Sequence, residues 1–189
     1  MMKSSDSLQE TPGDASCAVR RRATGIPVPV GTGIALAVLA LDQISKLLAG
    51  HFLSDGHGAV LIPGVLEFRY ALNPGAAWGM LSGCSWLLLL IGIAAIVLTL
   101  RYLNVIVEGS RVRGVAVFLV LGGIVGNSID RIWQGQVVDF ISVDLQFYKW
   151  PIFNIADSAI CIGVCLYLIS TLFGGRGNGE KSEKNAPES

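Results

Sequence analysis

Apolar residues fall in four long runs, at about 29–49, 84–103, 114–133 and 152–173, each long enough to cross a bilayer as a helix. Lipid satisfies no backbone hydrogen bonds, so only helices or closed barrels span it, and runs of this length predict helices. The second run is the purest, with no charged residue between Tyr70 and Leu100. The third ends at Asp130-Arg131, and the fourth carries a single charge, Asp157, in its first turns. The connection 51–83 has a different pattern. It holds Val60-Leu61-Ile62, a Pro63-Gly64 turn and an alternating Val65-Leu66-Glu67-Phe68-Arg69-Tyr70, which predict a small amphipathic hairpin or sheet. The pattern as a whole predicts an all-α membrane protein. It would have four transmembrane helices and a small extracytoplasmic β-rich subdomain between helices 1 and 2.

Composition agrees. Of 189 residues, 52% are hydrophobic and 15% charged, where a soluble domain carries about 25% charge. The net charge is zero and no long basic run interrupts the middle, which argues against nucleic acid as a partner. Arginines and lysines mark one side of the membrane. Arg20, Arg21 and Arg22 precede the first run, Arg101, Arg111 and Arg113 separate the second from the third, and Arg176, Lys181 and Lys184 follow the fourth. That bias predicts cytoplasmic termini, with 51–83 and 134–151 facing outward. Residues 1–28 are expected to be a disordered cytoplasmic tail, 29–173 the membrane domain, and 174–189 a polar cytoplasmic tail. A cleaved signal peptide fits less well, because the first run is longer than a usual apolar core and lacks a small-residue cleavage site. Cys17, Cys84, Cys161 and Cys165 have no CxxC pairing or histidine cluster, so they read as small packing residues.

Polar residues inside the runs need a reason, since ionisable groups are expensive there. Asp42 and Lys46 are four apart and share a helix face, which an ion pair or snorkelling explains as well as a direct role does. Ser45 and Lys46, adjacent in sequence, do not share a face, so a serine–lysine dyad is disfavoured. Gly122 and Gly126 imply close helix packing. Asn127 and Asp130 project from one face, with Arg131 expected to neutralise Asp130 or Asp42. Asn154 and Asp157 repeat that three-residue spacing. If the third and fourth runs are neighbouring spans, Asp139 and Asp157 return to the same end. Two close carboxylates split their acidities, so one can act as a general base on water and the other as a general acid. Other chemistries are poorly supplied. His51 and His57 are the only histidines, and no HExxH, GxSxG or Cys/His arrangement occurs. A small transporter or proton pathway, or a non-catalytic assembly factor, remain the rival classes.

Five ordered motifs carry a resemblance: Asp42-Gln43-x-x-Lys46, Asn73-x-Gly75-Ala76-Ala77, Gly126-Asn127-x-x-Asp130-Arg131, Val137-x-Asp139-Phe140 and Phe153-Asn154-x-Ala156-Asp157. Together, over about 30–173, the chain resembles the lipoprotein signal peptidases, the signal peptidase II family of bacterial membrane aspartic peptidases. Trp78 stands where the family often has Phe, and the N-terminal tail lies outside the pattern. The resemblance implies an aspartic endopeptidase of the inner membrane that works without metal or cofactor. Its substrate would be a prolipoprotein, cut just before a Cys that carries diacylglycerol. Asp139 and Asp157 would be catalytic. Asp42, Lys46, Asn73, Gly75, Asn127, Asp130, Arg131 and Asn154 would bind substrate or brace the site. The protein is expected to act as a monomer among membrane lipids.

Overall fold

The computed structural model describes residues 25–76 and 79–173, so both expected tails and Trp78 lie outside the described residues, apart from the short lead into the first helix. In order the elements are α1 (Val28–Leu53), β1 (Ala59–Ile62), β2 (Leu66–Asn73), α2 (Ser85–Arg101), α3 (Leu103–Val107), α4 (Arg111–Gln134), β3 (Val137–Val143) and α5 (Ile155–Phe173). Three helices among the described residues, α1, α4 and α5, are long and apolar enough to cross a membrane. The remaining expected span, 84–103, corresponds to α2, which is apolar but only 17 residues long. The helix breaks at Tyr102 and continues as the short α3.

Helix α4 is the axis of the bundle. Its neighbours approach so closely that side chains are excluded at the contacts. A Cβ on Gly122 would lie 2.8 Å from the Ala35 carbonyl oxygen of α1, and one on Gly123 would lie 2.5 Å from the Ala156 carbonyl oxygen of α5. Gly163 of α5 meets α4 in the same way, 2.7 Å from the Ala116 carbonyl oxygen. These approaches leave little room for a large apolar core, and the buried cluster is small: Val107, Val117, Phe118 and Leu121. The outer surface is apolar instead, with Leu36, Leu41, Leu47, Val97, Leu168 and Leu172 exposed. A surface of this kind suits lipid, where packing rather than water exclusion holds helices together.

The three strands form one antiparallel sheet in the order β1-β2-β3. Pro63-Gly64 makes the β1–β2 turn: Val65 N–H bonds the Ile62 carbonyl at 3.0 Å, and Gly64 takes a φ of +70°. A proline followed by a positive-φ glycine is the type II pattern. The hairpin is therefore as expected, but β1 is exposed along its whole length rather than two-faced. The third strand corrects a second expectation. Strands are expected only within 51–83, yet the 134–151 connection holds β3, which runs against β2 from Leu66↔Val143 to Asn73↔Val137. The sheet thus draws on both connections, not only the one between the first two helices. Phe153 then pairs with Ile141, its N–H reaching the Ile141 carbonyl at 3.1 Å while Ile141 N–H reaches the Phe153 carbonyl at 2.9 Å. With Pro151 just upstream, this extended pairing delays α5 until Ile155, three residues after the apolar run begins.

The cysteines also differ from expectation. Cys161 and Cys165 are exposed on the outside of α5 rather than buried as packing residues, and Cys84 is half-buried; all three are free thiols. An apolar run facing lipid leaves its small residues at the surface, which hydropathy alone does not reveal.

Candidate active site

Sheet and bundle meet where β3 and the N-terminus of α5 converge on the C-terminal half of α4. Asp139 sits in the middle of β3, 2% exposed. Both its oxygens are held: Asn73 Nδ2 of β2 donates to Oδ2 at 2.9 Å, and Asn154 Nδ2 donates to Oδ1 at 2.7 Å. Asn73 in turn accepts from Gly75 N–H at 2.9 Å, which folds the chain back after β2. Burial, and then the nearby charge of Asp157, push the Asp139 carboxyl up to about 6 from its ordinary 3.8, while the two amide donors pull the other way.

Asp157 lies in the first turn of α5 and is half-buried. Asn154 caps that helix. Its carbonyl accepts the Ser158 N–H at 3.2 Å, its side-chain oxygen accepts Asp157 N–H at 2.9 Å, and Asp157 Oδ2 accepts Asn154 N–H at 3.3 Å. This reciprocal capping pins the Asp157 side chain at the helix mouth. Its other oxygen accepts from Asn127 Nδ2 at 2.7 Å. Asn154 therefore touches both carboxyl groups, by its amide on one side and its backbone on the other.

Beneath this pair lies a buried charge cluster. Lys46 Nζ is 2.8 Å from Asp42 Oδ2, 2.8 Å from Asp130 Oδ2 and 3.0 Å from Asn127 Oδ1. An ammonium has three donors, and here each has a partner. The helix-face expectations hold: Asp42 and Lys46 pair along α1, and Asn127 and Asp130 both point to Lys46 from α4. The expectation for Arg131 does not. Lys46, not Arg131, neutralises Asp42 and Asp130, and Arg131 instead donates to the Asn127 carbonyl at 3.2 Å and the Gly75 carbonyl at 3.1 Å. At the last turn of α4 its side chain leans outward over the post-β2 turn, while Lys46 comes from the neighbouring helix at the right depth. Arg131 Nε is buried without a hydrogen-bond partner.

One residue of the network is absent from the sequence-derived set. Gln43 Nε2 lies 3.1 Å from Asp130 Oδ1, 3.2 Å from Asp42 Oδ2 and 3.3 Å from the Gly126 carbonyl. Its place beside Asp42, within the Asp42-Gln43-x-x-Lys46 motif, is the signal that points to it. Gly126 is required for the contact: a Cβ there would sit 2.5 Å from Asp42 Oδ2. All ten sequence-derived site residues thus fall in one connected region, with Gly75 and Arg131 at its rim.

A cleft of about 530 Å³ opens beside the pair. Asn73, Gly75, Asn127, Arg131 and Asp157 form its polar end, while Val137, Trp150, Ile152, Phe153 and Ile160 make the rest apolar. Asp139 does not line it directly but stands behind Asn73. An apolar chain lying along that wall meets the Asp157 carboxyl directly, with Asp139 behind Asn73, a geometry suited to acid–base chemistry.

Known proteins place this arrangement. The family model described as signal peptidase (SPase) II matches residues 34–173. Two solved structures, both described as bacterial membrane enzymes determined by the in meso method, are also similar. One, at 2.3 Å, is 31% identical with a TM-score of 0.71, covering 86% of this chain and 94% of that one. The other, at 1.9 Å, is 34% identical with a TM-score of 0.69, covering 77% and 94%. The matched span runs from within α1 to the end of α5 and takes in every element of the site, so the chain belongs to the signal peptidase II family, membrane peptidases that act on lipoprotein signal peptides.

Proposed function

We propose that the protein is a membrane aspartyl endopeptidase in which Asp139 and Asp157 act together on water to cut a prolipoprotein just before its diacylglyceryl-modified Cys. The observation that supports this most strongly is the shared donor: Asn154 hydrogen-bonds both carboxyl groups, so one residue orients the pair. Two such groups in partial burial hold one proton between them. The ionised member takes a proton from water, and the resulting hydroxide equivalent attacks the scissile carbonyl carbon. The protonated member gives its proton to the amide nitrogen as the C–N bond breaks. One water is consumed, and the pair ends with its single proton on the opposite member. The chemistry needs no metal or cofactor and forms no covalent intermediate.

The apolar wall of Trp150, Ile152, Phe153 and Ile160 takes the peptide before the Cys, and the acyl chains stay in lipid beside α4 and α5. The basic residues support the orientation: both termini cytoplasmic, the sheet and site at the outer face of the inner membrane, with α2 as the second of four crossings. Such a chain works as a monomer, because all the proposed machinery lies within one copy.

The test is release of signal peptide from a purified diacylated prolipoprotein. Asp139→Asn and Asp157→Asn should each abolish release while remaining inserted and folded. Normal maturation by either variant removes the catalytic assignment. Ion flux in vesicles without peptide release favours a transport role instead.

A further inference from the structure

We propose that Lys46 is a positioning residue that sets the two aspartates in register with each other, a role that rests on Asp139 and Asp157 being the catalytic pair. The residue before each of them is tied to the lysine cluster through its backbone. Val138 N–H, next to Asp139, donates to Asp130 Oδ2 at 3.2 Å. Ala156 N–H, next to Asp157, donates to Asp42 Oδ1 at 2.9 Å. Lys46 bridges the two acceptors at 2.8 Å each. Its third proton goes to Asn127, whose amide holds Asp157 Oδ1 at 2.7 Å. A single ammonium on α1 thus joins strand β3, helix α4 and helix α5 at the points that carry the reacting groups.

Lys46 touches neither carboxyl group of the pair, so it acts through others. The cluster is also more than packing. A well-packed apolar side chain would hold three elements together without desolvating charge, yet here one oxygen of each carboxylate accepts a backbone N–H adjacent to the site. Remove the ammonium, and Asp42 and Asp130 face each other as like charges and drift apart, carrying Val138 and Ala156 with them. Displacements of about 1 Å in such a pair cost about a hundredfold in turnover. The cluster reaches the cleft through Asn127, whereas the apolar wall that would take the peptide is built from Trp150, Ile152, Phe153 and Ile160, so substrate affinity should hardly move.

The experiment compares wild type, Lys46→Met, Asp130→Asn and Asp139→Asn in lipid nanodiscs, on one diacylated prolipoprotein peptide. Folded enzyme is titrated with the same peptide carrying a reduced, uncleavable scissile bond. Per folded molecule, Lys46→Met should lose about a hundredfold in kcat with KM and uncleavable-peptide affinity within about threefold of wild type. Asp130→Asn keeps an oxygen for Val138 but weakens the bridge, and should lose about tenfold in kcat at unchanged KM. A Lys46→Met enzyme that unfolds more easily yet turns over normally per folded molecule overturns the proposal. If Lys46→Met does not fold, normal kcat in Asp130→Asn overturns it. Loss of activity in Asp139→Asn beside a normal Lys46→Met sinks the bridge alone; normal activity in Asp139→Asn sinks the catalytic pair, and the bridge with it.

Discussion

Asn154 donates from Nδ2 to Oδ1 of Asp139 at 2.7 Å, so the residue that starts helix α5 also aims a carboxylate on strand β3. Asn154→Ala removes both jobs. Loss of the cap costs about 1 kcal/mol of stability, and thermal unfolding in detergent should register it as a lower midpoint. Peptide release should fall by more than that loss of folded protein explains, because Asp139 loses its orientation. Unchanged turnover in folded Asn154→Ala would show that Asp139 needs no such guide.

The acidity of Asp139 offers a separate handle. Burial and then the Asp157 charge raise it to about 6, and Asn73, by donating to the ionised form, holds it lower than it would otherwise be. Asn73→Ala removes a donor that favours the charged state. Asp139 then keeps its proton to higher pH, so the limb of the kcat/KM profile belonging to the pair should move upward in pH. A downward move, or none, contradicts the sign.

Glycine positions separate contact from mere composition. At Gly126 a Cβ would stand 2.5 Å from Asp42 Oδ2, whereas at Gly33, also in a helix, it would meet nothing within 4 Å. Gly126→Ala should destabilise by about 1–3 kcal/mol and impair processing, while Gly33→Ala should be neutral in both. Equal behaviour in thermal and processing assays would mean that the helix contact yields easily.

Cys161 is exposed and lines the cleft, so enlarging it fills substrate space without disturbing a core. Cys161→Trp should lower kcat/KM at least about tenfold with an unchanged unfolding midpoint. Full activity on a diacylated peptide would place the substrate elsewhere.

Much of this architecture was legible in the chain because its signals are local. Hydropathy marked the helical segments, the four-residue spacing of Asp42 and Lys46 marked a shared face, and Gly122 and Gly126 marked a close contact. What stayed hidden depends on partners far apart in sequence. Nothing near Val137 announces that it pairs with Asn73, so β3 is not legible from its own residues. The choice between Lys46 and Arg131 as counter-ion turned on helix depth and side-chain direction, which spacing along α4 does not encode. Gln43 stands in the Asp42-Gln43-x-x-Lys46 motif, but its link to Asp130 runs to another helix, which spacing along α1 does not encode.

The sheet contributes Asp139 and the bundle contributes Asp157, so the reactive pair spans the seam between strand and helix. A pull on the strands would reach Asp139 first, and the Asn154 and Lys46 links are what would carry it on to Asp157. An extended substrate that tugs on the sheet as it docks would be felt first in the gap between the two acids.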